Sequence, residues 1–410
     1  MTQPLLNIII PTLKRPDTLR YTLRTVLNQQ YDNYTIIVSD NFSNDETREL
    51  VSSFNDKRIK YINPGRRLSM SRHWEFALQH VNEGFVTILG DDDGMLPGAL
   101  QKVGSIIQKN KVDAVGWRFG NFNWKGLPPY FMIPMANYYR IVNAESEIKK
   151  ILNGSTYDTI QFPSLYGGFI EISIIKKIRD RFGGEFFHSR IPDFFSGAII
   201  AATLAKYIRL EFPITINATS KHSTGYATIN KANDQSAFID LQKGDDNISF
   251  HPKLIFIRSN AVPIAEAMLQ VHELVPSFPE IDIKKVLSEV VAEAIVTQDH
   301  EKFEELTAGV RNIAINNKIE SYADSLLTNI KHQPAKDVVK KKFSPLTITL
   351  YVDTTDTDVE NVEDACNFAA SVISPRFYRL GNSFFRNYCR ISMLVRYILL
   401  KFFSSKRKYL

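Results

Sequence analysis

The chain has 410 residues, 44% of them hydrophobic and 23% charged, which allows about two packed domains and excludes wholesale disorder. Its two cysteines, Cys366 and Cys389, exclude a disulfide framework and suit a reducing compartment. The net charge of +6 hides an asymmetry: nine Lys and Arg and no acid fall in residues 376–410, which leaves the remainder slightly acidic. A broad basic face for nucleic acid is therefore not supported.

The N-terminal run is too short and lacks the basic flank of a signal peptide, and reads as a first strand. No stretch reaches the roughly 18 apolar residues that span a bilayer. The expectation is a cytoplasmic protein, or one attached to the cytosolic face of a membrane.

Over the first 115 residues, strands alternate with helices. Asn7–Pro11 is a β-branched run closed by proline, and a helix starts at Pro16 with Leu19, Leu23, Val26 and Leu27 as its apolar stripe. TIIVSD ends a second strand at Asp40, and Ser43 and Glu46 have the spacing of a capping box. A short strand near Lys60–Ile62 precedes a helix marked by Trp74, Ala77, Leu78 and Val81. The apolar strand FVTIL then runs into Gly90-Asp91-Asp92-Asp93, and Pro97 restarts a helix. This alternation predicts an α/β fold with a mostly parallel sheet. Residues 117–240 are irregular and rich in aromatic residues; residues 250–342 read as helical, followed by a strand at 346–352 and a helix over Val359–Val372.

Three consecutive carboxylates at the end of a buried strand repel one another, and a hard divalent cation relieves that repulsion. The carboxyl ends of strands are also where open α/β sheets bind ligands. The competing reading is a solvated acidic turn that caps the helix after Pro97.

The segments IIIPTLKRPDTLRYTLRTVLNQQY, IIVSDNFSNDET, SMSRHWEFAL and FVTILGDDDGMLPGAL, in this order, resemble the family-2 glycosyltransferases over about residues 5–110, and more weakly to about 225. The resemblance implies a GT-A type Rossmann-like sheet flanked by helices, and metal-dependent inverting transfer of a sugar from a nucleotide-diphosphate sugar, with UDP favoured. The implied acceptor is a glycan or lipid-linked hydroxyl, as in surface polysaccharide synthesis. It also implies roles for individual residues. Pro11, Thr12 and Arg15 line the nucleotide pocket, and Asp40 meets the imide N–H of the base, with a strand-end turn as its other reading. Ser71 and Arg72 lie near the ribose and diphosphate, although a plain surface salt bridge also suits Arg72. Asp91 contacts the ribose, and Asp92 or Asp93 holds Mg²⁺ or Mn²⁺. Gly90 departs from the family pattern, standing where many members carry the first acid.

In GGEFFHSRIPDFFSGAIIAA, which resembles the region that usually carries the base, Asp193 is the candidate, with helix capping as its other reading and Glu185 in reserve. Tyr166 and Phe169 are candidate sugar-stacking aromatics, or core residues. Lys221 is expected to close over the diphosphate, and His222 either completes the metal site or is an exposed loop residue.

The expected organisation is a GT-A domain over 1–240, divided near 115 into a nucleotide half and an acceptor half. A mainly helical accessory region follows over 241–375, then a basic amphipathic tail over 376–410. The tail reads either as an interfacial helix for anionic lipids or as a packed helix with a basic end. Two other functions fit the same sheet: a nucleotidyltransferase, although TLKRPDTL lacks the glycine-rich first loop, and a catalytically silent scaffold.

Overall fold

The computed structural model describes residues 3–221, 223, 226, 248–328, 330–334, 349–355 and 357–373. His222 and the basic tail lie outside the described residues.

The strands of the main sheet are β1 (Leu6–Thr12), β2 (Tyr34–Asp40), β3 (Ile59–Ile62), β4 (Phe85–Ile88), β6 (Ala114–Trp117), β9 (Tyr139–Asn143), β10 (Gly168–Glu171) and β11 (Lys206–Leu210). Their order is β3-β2-β1-β4-β10-β6-β11-β9. The β3-β2-β1-β4 half is parallel throughout, and β10 inserts antiparallel between β4 and β6. Alternation along β1 explains why this half is buried on both faces. Leu6, Ile8 and Ile10 enter one core with Leu19, Leu23 and Val26 of α1 (Pro16–Leu27) and Leu100 and Val103 of α4 (Ala99–Asn110). Ile9 points the other way, into a core with Trp74, Ala77 and Leu78 of α3 (Met70–Leu78).

Two local expectations move by a few residues. The helix after Pro97 starts at Ala99, because Gly98 adopts left-handed φ +73° and breaks continuity with the proline. Asn44, not Ser43, precedes α2 (Asp45–Ser53), and the Ser43 hydroxyl instead accepts the Lys14 N–H at 2.7 Å.

A smaller sheet joins β5 (Gly94–Met95), β12 (Thr215–Thr219), β7 (Gly120–Asn123), β8 (Phe131–Pro134) and β13 (Thr349–Val352) in the order β13-β8-β7-β12-β5. The helix Val362–Val372 covers it, burying Val362, Ala365, Cys366 and Ala369 against Phe122, Phe131 and Ile216. Residues 349–373 thus pack with the first 220 residues rather than with the helices between them. By pairing with β12, β5 brings the residues just before it alongside Ser220.

The helices Ala261–Leu274, Ile283–Val296, His300–Asn317 and Glu320–Leu327 form the C-terminal helical layer. The first packs on α7 (Pro192–Thr203). α7 is apolar on nearly all sides because it lies between this layer and α3, α5 (Ala144–Asn153) and α6 (Ile172–Arg181). Among the described residues, no helix is long and apolar enough to cross a membrane.

Candidate active site

The carboxylate triplet follows β4 and leads directly into β5, so its chain is pinned to both sheets. Thr22 donates its hydroxyl to the Asp93 carbonyl at 2.7 Å, and the Trp124 indole donates to the Asp92 carbonyl at 3.0 Å. All three side chains are nearly inaccessible, yet each turns to a different set of donors. Asp91 accepts the Thr12 hydroxyl at 2.7 Å and pairs with Arg15 at 3.0 Å. Asp92 Oδ2 accepts both the Ser220 hydroxyl, at 2.8 Å, and the Ser223 hydroxyl, at 2.5 Å. Asp93 accepts the Ala218 N–H at 2.7 Å on Oδ1, and the Gly90 N–H and the Tyr166 hydroxyl on Oδ2.

These partners set the electrostatics. Burial pushes Asp91 upward, and the Arg15 guanidinium opposes the shift. No cation among the described residues offsets Asp93, and burial and the neighbouring Asp92 push its carboxyl up to about 8. Both Asp93 oxygens are taken by neutral donors, whose hydrogen bonds favour the ionised form and oppose that shift.

Gly90 now has a steric reason. A Cβ there would lie 2.6 Å from Asp93 Oδ2 and 3.1 Å from the Tyr166 hydroxyl. The acid that many family members carry at this point has no room beside the Asp93–Tyr166 pair.

Asp40 differs from its expected role. It is fully buried, and its oxygens accept the Ser43 N–H at 3.0 Å, the Tyr61 hydroxyl at 2.6 Å and the Asn63 amide at 3.4 Å. In this conformation it braces the loop after β2 and offers no open face to a nucleobase. The adjoining backbone bond, Asn41 N–H to the Thr12 carbonyl at 2.9 Å, ties this loop to the one after β1. Pro11 is half-buried in β1 beside Thr12.

On the other side of the triplet, Tyr166 stacks on Trp74 with ring centroids 6.1 Å apart, and its hydroxyl reaches Asp93. Phe169 is a core residue: it is fully buried on β10 and packs against Trp117 at 5.8 Å. Asp193 stands in the first turn of α7, where Ile191 occupies the cap position, so the capping reading is displaced by two residues. Asp193 is half-buried, and desolvation pushes its carboxyl up to about 6 against hydrogen bonding from the Phe194 N–H. Tyr166 lies within electrostatic reach of Asp93, Asp92 and Asp193 together.

The segment leading to Asp193 is fastened to α3. Arg72 forms an ion pair with Glu185, and Ser71 donates to the Ser189 carbonyl at 2.7 Å. Glu75 accepts the N–H groups of Phe186 and Phe187 at 3.0 and 3.2 Å while paired with Arg179. Ser71 and Glu185 are therefore engaged in holding the loop. Lys221 is exposed beside Gly126, on the rim next to Ser220.

Residues 7–167 match the family model described as glycosyl transferase family 2. This region is a family-2 glycosyltransferase domain. The match runs from β1 through the triplet to the turn after Tyr166, and stops before Asp193. Among curated relatives, the GalNAc(5)-diNAcBac-PP-undecaprenol beta-1,3-glucosyltransferase of Campylobacter jejuni is 33% identical over 121 residues, 29% of this chain and 38% of that protein. The UDP-Glc:alpha-D-GlcNAc-diphosphoundecaprenol beta-1,3-glucosyltransferase WfgD of Escherichia coli is 29% identical over 122 residues, 30% of this chain and 47% of that protein. The alignment thus spans less than half the length of either relative. S. aureus TarS 1–349, solved in complex with UDP-GlcNAc, superposes with a TM-score of 0.46 at 14% identity, covering 81% of this chain and 98% of that one.

Several residues that hold the carboxylate triplet or the segment before Asp193 left no local mark in the sequence. Ser220 and Trp124 reach Asp92 from β12 and from the turn after β7, across 128 and 32 residues. Glu75 sits in an ordinary amphipathic helix, and only its burial beside Arg179 marks it out.

Proposed function

We propose that the chain is an inverting glycosyltransferase that moves a sugar from a nucleoside-diphosphate sugar, UDP-linked by preference, to a hydroxyl of a glycan or lipid-linked acceptor. The observation that carries this reading is the convergence on Tyr166: its hydroxyl bonds Asp93 and lies within electrostatic reach of Asp193. The donor carboxylates and the candidate base thereby flank one side chain.

In the proposed reaction the acceptor oxygen attacks the anomeric carbon as the bond to the diphosphate oxygen breaks. Asp193 takes the acceptor proton, and the electron pair leaves with the nucleoside diphosphate, so configuration inverts. A base must be ionised yet basic at working pH, and a carboxyl raised to about 6 by desolvation meets both demands. Arg15 and Thr12 orient Asp91 towards the ribose, and Lys221 supplies positive charge at the rim.

The donor set fits Mg²⁺ or Mn²⁺ through a single carboxylate. Asp92 Oδ2 is taken by Ser220 and Ser223, and Oδ1 accepts no hydrogen bond among the described residues. No group of three His, Cys, Asp or Glu among the described residues converges on one point, so further ligands come from the diphosphate and water. We therefore assign the metal to Asp92 rather than to the internally satisfied Asp93; His222 lies outside the described residues. A cation held there offsets charge on the departing diphosphate.

The two relatives are named for acceptors on diphosphoundecaprenol, which supports a polyprenyl-diphosphate glycan as acceptor class and surface polysaccharide synthesis as the setting. The basic tail suits peripheral attachment to the cytosolic face, where such an acceptor resides. The test is turnover of UDP-sugars with a polyprenyl-diphosphate glycan by wild-type protein and Asp193→Asn. Transfer by the wild type that is lost in the variant supports the reading, and equal transfer by both removes Asp193 as base.

A further inference from the structure

The helical layer at 261–327 has no part in the donor site, yet one of its side chains reaches the approach to Asp193. Glu266, on the helix Ala261–Leu274, is fully buried. It accepts the Ser189 hydroxyl at 2.5 Å and the Gln270 amide at 2.8 Å. A serine hydroxyl has one proton and two lone pairs. With its proton committed to Glu266, Ser189 Oγ turns a lone pair to the Ile191 N–H, at 3.1 Å. Ile191 is the cap residue of α7, and Asp193 stands two residues further on. The Ser189 carbonyl meanwhile holds Ser71 of α3, the helix that carries Arg72 on the donor side.

We propose that Glu266 is a positioning residue for the base: through the Ser189 hydroxyl it fixes the entry of α7 and hence the place of Asp193, which gives the helical layer a direct role in transfer. This inference rests on Asp193 being the base.

The geometry separates two holds on the same loop. Ser71 grips the Ser189 carbonyl from the donor half, and Glu266 grips the hydroxyl from the helical layer. Removing Glu266 leaves the first hold intact, so the donor site should survive while Asp193 drifts. Displacement of a reacting group by about 1 Å can cost about 100-fold in rate.

The test uses the full chain and the variants Glu266→Ala, Glu266→Gln, Ser189→Ala and Asp193→Asn. Amide hydrogen exchange is read over 186–195 and over 86–95, and UDP release from UDP-glucose and UDP-N-acetylglucosamine is followed alongside. Glu266→Ala and Ser189→Ala should exchange faster over 186–195 and be unchanged over 86–95. Their kcat should fall about 10- to 100-fold with UDP affinity within twofold of wild type. Glu266→Gln, whose amide oxygen can still accept the Ser189 proton, should restore most of the loss.

Unchanged exchange over 186–195 in Glu266→Ala overturns the inference. So does a loss spread equally over both segments and over UDP affinity, which marks a merely structural role. If Asp193→Asn keeps its turnover, the base reading fails. If Asp193→Asn is inactive while Glu266→Ala turns over normally, the positioning inference alone fails.

Discussion

The proposed donor half and the proposed acceptor half hold their key carboxylates in opposite ways. Asp91 is neutralised by a cation, Arg15, from the neighbouring strand's loop, and that pair closes within the parallel β1–β4 unit. Asp193 has no such partner among the described residues: desolvation dominates its environment, and its position comes from a loop fastened to α3 and to a helix of the C-terminal layer. The Arg15–Asp91 pair, made between the loops after two adjacent parallel strands, is fixed by their register, whereas a carboxylate held between layers depends on every layer being present. Donor binding and chemistry should therefore respond to different substitutions.

The largest expected effect is at the base. Asp193→Asn should lower kcat by about 10²- to 10⁴-fold, the usual contribution of a positioned base, with UDP affinity unchanged. Steady-state turnover paired with UDP titration checks both halves of that statement, and a parallel loss of UDP binding would break the comparison. Next is Arg15→Ala, which strips the cation from a buried carboxylate. Stranding that charge should destabilise the fold by about 3–5 kcal/mol if Asp91 stays ionised, and by less if it takes up a proton. Thermal unfolding reads this, and a milder loss at lower pH would sharpen the assignment.

Gly90→Ala should cost about 1–3 kcal/mol, because its Cβ drives apart Asp93 and Tyr166. An unchanged melting temperature would show that the pair can shift at no cost.

The pH dependences separate the two halves further. Asp193 must be ionised to act and is raised to about 6, so kcat/KM should climb as pH passes through about 6 rather than about 4. Glu266, buried among Ser189, Gln270, Arg190 and the His251 backbone, is raised to about 7. A carboxyl with a raised folded value binds its proton more tightly in the native state. Its contribution is complete below the ordinary carboxylate range and is lost as pH rises through about 7. Stability should fall over pH 5–7 in the wild type and fall less in Glu266→Gln, as unfolding midpoints at each pH would show.

The same contrast governs what could be read in the sequence. β1, α1, β2 and the strand into Asp91 were legible because their apolar periods are local and unbroken. Asp193 was legible as a candidate from its phrase, but its surroundings were not, since Ser189, Glu266 and Glu75 meet only after distant elements pack. The Asp40 expectation came from the family resemblance; what the sequence did not reveal was that Tyr61 and Asn63 from the neighbouring strand's end close over it. The assignment of residues 349–373 to an accessory region failed to anticipate an antiparallel pairing of β13 with β8 across more than 200 residues. Nothing in a short strand's composition names its partner.

The central claim, a donor site on Asp92 separate from a base on Asp193, is tested most directly by thermal shift with UDP, with and without Mn²⁺. Wild type and Asp193→Asn should show the same metal-dependent stabilisation, and Asp92→Ala should show none. No stabilisation of the wild type by UDP or any other nucleoside diphosphate, or an undiminished metal-dependent shift in Asp92→Ala, would contradict the account.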